Sequence, residues 1–214
     1  MVRAYPNIVI TGTPGTGKTS HSSLLASSWP SSSSGSSSSR PLRHINISDL
    51  CKTHPNLTTS YDAEWQSHEV DEDALLDHLE PLTGERAPEP EDEQDTKAAQ
   101  AVKEDAEDRG GLVLDWHTCE VWPERWVDLV VVLRCDHEKL WKRLEKRNYP
   151  LAKIQENNDA EIMEVVLAEA RDSYPAEAIV ELKSEEAGDV EENVERIRSW
   201  IDAWREARGF KREE

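Results

Sequence analysis

The sequence predicts an α/β domain: a parallel sheet of five strands with helices on both faces, a three-layer sandwich. Three observations predict it. Short runs of largely apolar residues recur at Asn7–Thr11, Gly111–Asp115 and Val127–Leu133. Stretches with helical spacing of apolar residues lie between the runs. The first run ends in glycines that lead straight into a helix pattern. Strands without a polar face are buried on both sides, and strands alternating with helices build parallel sheets.

The elements follow in order. Asn7-Ile-Val-Ile-Thr11 is β-branched and reads as a buried strand. Lys18 to Ala26 is a helix, and Leu42 to Ile47 a weaker second strand. Asp71 to Leu79 carries Ala74, Leu75 and Leu79 at helical spacing. Gly111 to Asp115 is the third strand. Val127 to Leu133, the most apolar run of the chain, is the fourth. Asp136 to Arg147 is a helix with Leu140 and Leu144 on one face, and Ala160 to Ser173 is another. Ile179 to Leu182 makes the fifth strand. Asp189 caps a last helix striped by Val190, Val194, Ile197, Ile201 and Trp204.

Two segments stand apart. Residues 27–40, SSWPSSSSGSSSSR, have almost nothing to bury and read as a flexible Ser-rich insertion. Residues 84–108 form an acidic insertion; from Glu85 to Asp108 there are ten acids against three bases. Ordered patterns resume on either side of both, so the 214 residues are expected to make one domain.

Composition narrows the function. The chain carries 25 Lys+Arg against 44 Asp+Glu, a formal net charge of −19. A global basic field for gripping nucleic acid or anionic lipid is excluded, and basic partners are favoured. No apolar run is long enough to span a bilayer, and the N-terminus does not read as a secretory signal. Cys51, Cys119 and Cys135 are odd in number and widely spaced, which argues against disulfides and zinc and for a reducing compartment.

Gly12-Thr-Pro-Gly-Thr-Gly-Lys-Thr19 carries the strongest chemistry. It fits G-x-x-x-x-G-K-[ST] between a strand and a helix, the phosphate loop of P-loop NTPases. Gly12, Gly15 and Gly17 let the backbone approach a ligand closely. Successive N–H groups and a helix N-terminus make a donor array for phosphate. Lys18 supplies a mobile charge for the β- and γ-phosphates, and Thr19 a hydroxyl for Mg²⁺. After Leu133 the chain reads Arg134-Cys-Asp-His137, without the N-K-x-D signature of guanine recognition.

Three further features admit two readings each. Asp115 ends an apolar strand, where it either holds a Mg²⁺-bound water or begins a turn. His117 is either functional or a satisfied structural residue. The basic cluster Arg134, Lys139, Lys142, Arg143, Lys146, Arg147 and Lys153 interrupts an acidic chain. Arg143 and Arg147 share a helix face there, either clamping transferring phosphates or forming a solvated surface.

The motifs in sequence are Asn7-x-x-x-Thr-Gly-Thr-Pro-Gly-Thr-Gly-Lys-Thr19, Tyr61-Asp-x-Glu-Trp65, Asp71-Glu-Asp73, Asp115-Trp-His117, Trp122-Pro-Glu-Arg-Trp126 and Leu144-Glu-x-Arg-x-Tyr149. Together they resemble the nuclear adenylate kinase isoenzyme 6 family, also called coilin-interacting nuclear ATPase proteins. The likeness spans nearly the whole chain outside the two insertions. It implies an NMP-kinase fold with a short NMP-binding region at 46–70 and a small lid at 146–156. It implies adenylate kinase and ATPase activities that use Mg²⁺ with ATP and AMP. It implies action in nucleus and cytoplasm in late maturation of the small ribosomal subunit and pre-rRNA processing. The partner it implies is a basic small-subunit ribosomal protein, with the pre-ribosome engaged indirectly. The chain itself is expected to be a monomer with no membrane attachment.

Carried over by position, Gly15, Gly17, Lys18, Thr19 and Ser20 would hold the ATP phosphates, and Arg147 would contact ATP from the lid. Asp115 and His117 would form the family's Asp-x-His strand end. The catalytic set is then Lys18, Asp115, His117, Arg143 and Arg147, with Thr19 and Asp115 toward the metal. Trp116 stands where the family usually has Tyr. Lys52 stands where Arg would grip AMP; it keeps the charge and loses the bidentate fork. Two alternatives share these residues: a dedicated ATPase with incidental AMP turnover, and a nucleotide-gated chaperone of the ribosomal protein.

Overall fold

A computed structural model describes residues 3–29, 42–62, 67–84 and 110–210. The acidic insertion beyond Gly84 and most of the Ser-rich one lie outside the described residues. Five strands form one parallel sheet: β1 (Ile8–Thr11), β2 (Arg43–Asn46), β5 (Leu112–Asp115), β6 (Leu129–Arg134) and β7 (Ile179–Lys183), in the order β2-β5-β1-β6-β7. A separate antiparallel hairpin pairs β3 (Thr58–Asp62) with β4 (Ser67–Val70). The helices are α1 (Lys18–Ser27), α2 (Ile47–Thr53), α3 (Glu72–Thr83), α4 (His137–Lys146), α5 (Leu151–Ile162), α6 (Val165–Ser173) and α7 (Ala187–Ala207).

The central strands bury both faces, as their uninterrupted apolar runs require. On one face Val9, Leu112, Leu114, Val130 and Val132 meet Ile47 and Cys51 of α2, Leu75 and Leu79 of α3, and Leu167 of α6. On the other, Ile8, Ile10, Val113, Val131 and Leu133 meet Leu25 of α1 and Val194, Ile197 and Ile201 of α7. Each such side chain contributes about 1.5–3 kcal/mol when fully buried. A third cluster, Cys135, Leu140, Leu144 and Ile154, packs α4 against α5 beside the phosphate loop.

Several boundaries differ from the sequence reading. The second strand stops at Asn46, because the Asn46 side chain accepts from the N–H of Asp49 and caps α2. Ala160–Ser173 is not one helix. Glu164 at φ 57 ends α5 and starts α6. The start of α5 escaped periodicity because LAKIQENNDAEI buries only Ile154, Asn158 and Glu161. The N-cap of α7 is Glu186; Asp189 is the third helical residue, reaching back to the N–H groups of Glu185 and Glu186 in a capping box. Trp29, inside the Ser-rich stretch, is buried against Tyr5 edge to face at 6.4 Å. No helix of the described residues is long and apolar enough to cross a membrane.

The strand order matters for function. The chain leaves central β1 for the edge strand β2, returns to β5, then passes β1 to reach β6 and β7. In open parallel sheets such a reversal leaves a crevice at the carboxyl ends of the strands. Thr11, Asn46, Asp115 and Arg134 all end strands there.

Candidate active site

The turn from β1 into α1 is the floor of that crevice. Gly12 lies at φ 140, and a Cβ on it would stand 2.6 Å from the Leu133 carbonyl oxygen. Gly15 lies at φ 99, and a Cβ there would meet Leu140 at 2.8 Å. A side chain at Gly12 would collide with backbone, one at Gly15 would press on the ends of Leu140 and Leu144, and both φ values would be strained for any other residue. Gly17 caps α1 with no side-chain oxygen, and the first turn holds no acid. The first N–H groups and the positive end of the helix therefore face the crevice, the arrangement that holds phosphate.

Lys18 folds over this loop, its ammonium donating to the carbonyls of Gly12 (2.7 Å) and Thr13 (3.2 Å). Burial pushes its pKa down to about 8; Asp115 opposes that shift, Arg147 adds to it and Glu161 opposes it. Lys18 and Asp115 form no ion pair. Instead Asp115 Oδ2 accepts from Asn46 Nδ2 at 2.7 Å and faces His44 Nε2 at 3.3 Å. Burial alone would raise the Asp115 carboxyl. Hydrogen bonds from His44, Thr19 and Asn46 and the charge of Lys18 outweigh it and hold the group below its ordinary range. Asn46 Nδ2 also reaches Thr19 Oγ1 at 3.3 Å. The two oxygen groups expected to face Mg²⁺ are thus joined by one amide, and oxygen donors suit that hard cation.

No motif of the sequence marks His44, and Asn46 enters only as the first residue of the expected region 46–70. Their place comes from sheet register, which sets Asn46 beside Asp115. Ser20 is exposed on the first turn of α1. The His117 ring packs edge-on against Trp116 at 5.2 Å and reaches solvent. Loss of hydration, then Lys18 and Lys153, press its pKa down to about 4. The imidazole is neutral at pH 7.

The basic cluster divides. Arg134 is braced by Glu161, Glu164 and Glu181, and Lys139 pairs with Glu185 and Glu186. Arg143 donates to the carbonyls of Gly15 (3.2 Å), Ser184 (2.9 Å) and Glu185 (2.6 Å), tying the phosphate loop to the segment after β7. Arg147 is exposed, and its guanidinium makes no hydrogen bond among the described residues, while its charge reaches Lys18. The two arginines share a helix in sequence and do different things in space. Lys153, in the first turn of α5, acts on His117.

His21 and Ser184 support the loop from beneath. His21 Nδ1 faces the Gly17 carbonyl at 2.9 Å and its Nε2 faces Asn193 Nδ2 at 3.2 Å. Burial lowers its pKa, so a neutral ring donates to Gly17 and accepts from Asn193. Ser184 donates to the Thr16 carbonyl at 2.5 Å.

Comparison with known proteins sets the chain among relatives. The family model for the AAA domain matches residues 8–164. The chain is 46% identical over 203 residues to the adenylate kinase isoenzyme 6 homolog HBR1 of Candida albicans, covering 94% of this chain and 71% of that protein. It is 41% identical over 203 residues to the adenylate kinase isoenzyme 6 homolog of Schizosaccharomyces pombe, covering 95% of each. It is 40% identical over 204 residues to the adenylate kinase isoenzyme 6 homolog FAP7 of Saccharomyces cerevisiae, covering 95% of this chain and 86% of that protein.

Proposed function

The chain belongs to the adenylate kinase isoenzyme 6 family, and from that premise we propose that it catalyses ATP + AMP ⇌ 2 ADP, with ATP hydrolysis when water replaces AMP. The observation that carries this reading is the separation of Lys18 from Asp115. A half-buried ammonium seated only on loop carbonyls can turn to a phosphate, while the carboxylate is aimed by the Asn46 amide.

The N–H groups of the loop and of the first turn of α1, with Gly15, Gly17, Thr19 and Ser20, bind the ATP phosphates. Mg²⁺, which would be held by Thr19 and Asp115 with phosphate oxygens and water, supplies charge neutralisation on the phosphates. Lys18 and Arg147 meet charge that develops on the transferring phosphoryl group, and Arg143 fixes Gly15 behind it. AMP brings its own anionic nucleophile through the region 46–70, so in-line attack needs no base and no covalent intermediate. Residues 146–156 serve as the lid that excludes water. When water enters instead, the neutral imidazole of His117 orients it.

A second reading is favoured by the charge of −19. The same nucleotide cycle would gate binding of a basic small-subunit ribosomal protein during ribosome maturation in nucleus and cytoplasm. One experiment tests the enzymatic core. Purified protein is given ATP and Mg²⁺ with AMP, CMP, UMP or water alone as acceptor, and ADP formation is followed. Fast turnover with AMP above the water rate is expected. Equal rates with and without AMP would make it a dedicated ATPase, and no turnover in any arm would overturn the assignment.

A further inference from the structure

We propose that Glu161 is a positioning residue of the phosphate loop, coupling the lid-bearing helix α5 to the seat of Lys18. The inference rests on the reading of that loop as a nucleotide site. Glu161 stands at the C-terminal end of α5 and is only 4% exposed. A carboxyl group that deep is tolerated only when its oxygens are supplied with hydrogen-bond partners. Its two oxygens face different parts of the molecule. Oε1 accepts from Arg134 Nε at 2.7 Å and from the N–H of Cys135 at 3.0 Å, which fastens it to the end of β6. Oε2 accepts from Thr13 Oγ1 at 2.5 Å, inside the phosphate loop.

Thr13 is the pivot of that loop. Its carbonyl accepts from the N–H of Thr16 (3.2 Å), from Thr16 Oγ1 (2.9 Å) and from Lys18 Nζ (3.2 Å). The neighbouring Gly12 and Gly15 occupy left-handed backbone that leaves many alternatives open. A loop so rich in glycine needs side-chain tethers to choose one shape. Thr13 to Glu161 is such a tether, and it comes from a helix 148 residues away in sequence. The other end of the same helix carries Lys153, whose charge acts on His117. Eight residues of rigid helix, about 12 Å, separate the two. A shift of the lid end of α5 is therefore transmitted through Glu161 and Thr13 to the carbonyls that seat Lys18.

The test uses the full chain and ADP. Binding is measured by calorimetry, alongside melting temperature, for wild type, Thr13→Val, Thr13→Ser and Tyr174→Phe. Thr13→Val removes the donating hydroxyl at constant shape, and Thr13→Ser restores it. Tyr174→Phe removes buried hydrogen bonds to the carbonyls of Cys119 and Trp122, far from the loop, and serves as the stability control. We expect Thr13→Val to weaken ADP binding about tenfold, the order of effect for a misplaced positioning group. Thr13→Ser should return it to within about twofold, and Tyr174→Phe should lower the melting temperature with ADP affinity unchanged. If Thr13→Val does not fold, Glu161→Met, which cannot hold the Thr13 hydroxyl, carries the same expectation of a tenfold loss. Wild-type affinity in the Thr13→Val or Glu161→Met protein overturns the coupling. So does an equal affinity loss in Tyr174→Phe, because affinity would then follow stability alone. Failure of the wild type to bind ADP overturns the nucleotide site itself, a result distinct from both.

Discussion

The two ends of β1 use the same kinds of charged group in opposite ways. At the amino end Arg3 and Asp128 form an ion pair at 2.8 Å, with both side chains 0% exposed. Arg3 donates further to the carbonyls of Gly84 and Arg125, while Asp128 also accepts from the N–H of Asn7. The Asn7 side chain completes the anchor, donating to the carbonyls of Thr83 and Trp126 and accepting from the N–H of Leu112. At the carboxyl end Asp115 is buried and Lys18 half-buried, yet each is held by other groups and not by the other. A cation and an anion locked together serve the fold. Kept apart, each retains capacity for a ligand. At the second end burial outweighs the opposing charges of Asp115 and Glu161 and holds Lys18 below its ordinary range, and it lowers His117 as well.

The largest expected effect strikes the open end. Lys18→Met should lower phosphoryl transfer and ATP hydrolysis by about 10²-fold or more, the scale of a lost electrostatic donor. The same change should not lower the melting temperature of the ligand-free protein at pH 7. The ammonium's pKa falls from 10.5 in the unfolded chain to about 8 in the fold, so its charge opposes folding at neutral pH. That opposition fades as pH rises from 8 toward 10.5. A marked loss of stability in Lys18→Met would erase the contrast between the two ends.

Breaking the closed end should do the reverse. Arg3→Met leaves a buried carboxylate without its cation and is expected to cost about 3–5 kcal/mol in urea unfolding. Nucleotide affinity, measured where the variant is still folded, should stay within about twofold of wild type. A tenfold loss of affinity would mean that the ends are coupled along β1.

A finer cut separates two jobs of one residue. Asn46→Ser keeps an oxygen to cap α2 but cannot reach Asp115. Turnover should fall by about tenfold with a change in melting temperature of only a few degrees. Steady-state kinetics beside a thermal scan decides it; full activity would show that His44 and Thr19 suffice to aim the carboxylate.

The smallest effect expected is in thiol labelling. Burial raises the pKa of Cys51 and Cys135 and pushes Cys119 up to about 12. Native protein at pH 8 should react slowly with a thiol reagent at all three, with Cys135 at the nucleotide end fastest and protected by ADP. Rapid labelling of Cys119 would show that the core around Trp122 and Tyr174 opens readily.

Much of this protein is local in sequence. The runs IVIT, LVLD and LVVVLR could be placed as central strands because no polar face interrupts them. The phosphate loop could be placed because its glycines, Lys18 and Thr19 act through backbone geometry within eight residues. Other features exist only after folding. His44 and Asn46 reach Asp115 because β2 pairs with β5 across an intervening stretch of chain, and no spacing rule announces that register. Glu161 looks like any surface acid of an acidic helix until α5 lays it against Thr13 and Arg134. Arg143 and Arg147 are alike by position and separate only when the carbonyls of Gly15, Ser184 and Glu185 claim the first. Backbone chemistry is short-ranged and repeats in the sequence. The partner of a buried charge depends on which distant elements pack together, and that is decided by the tertiary structure alone.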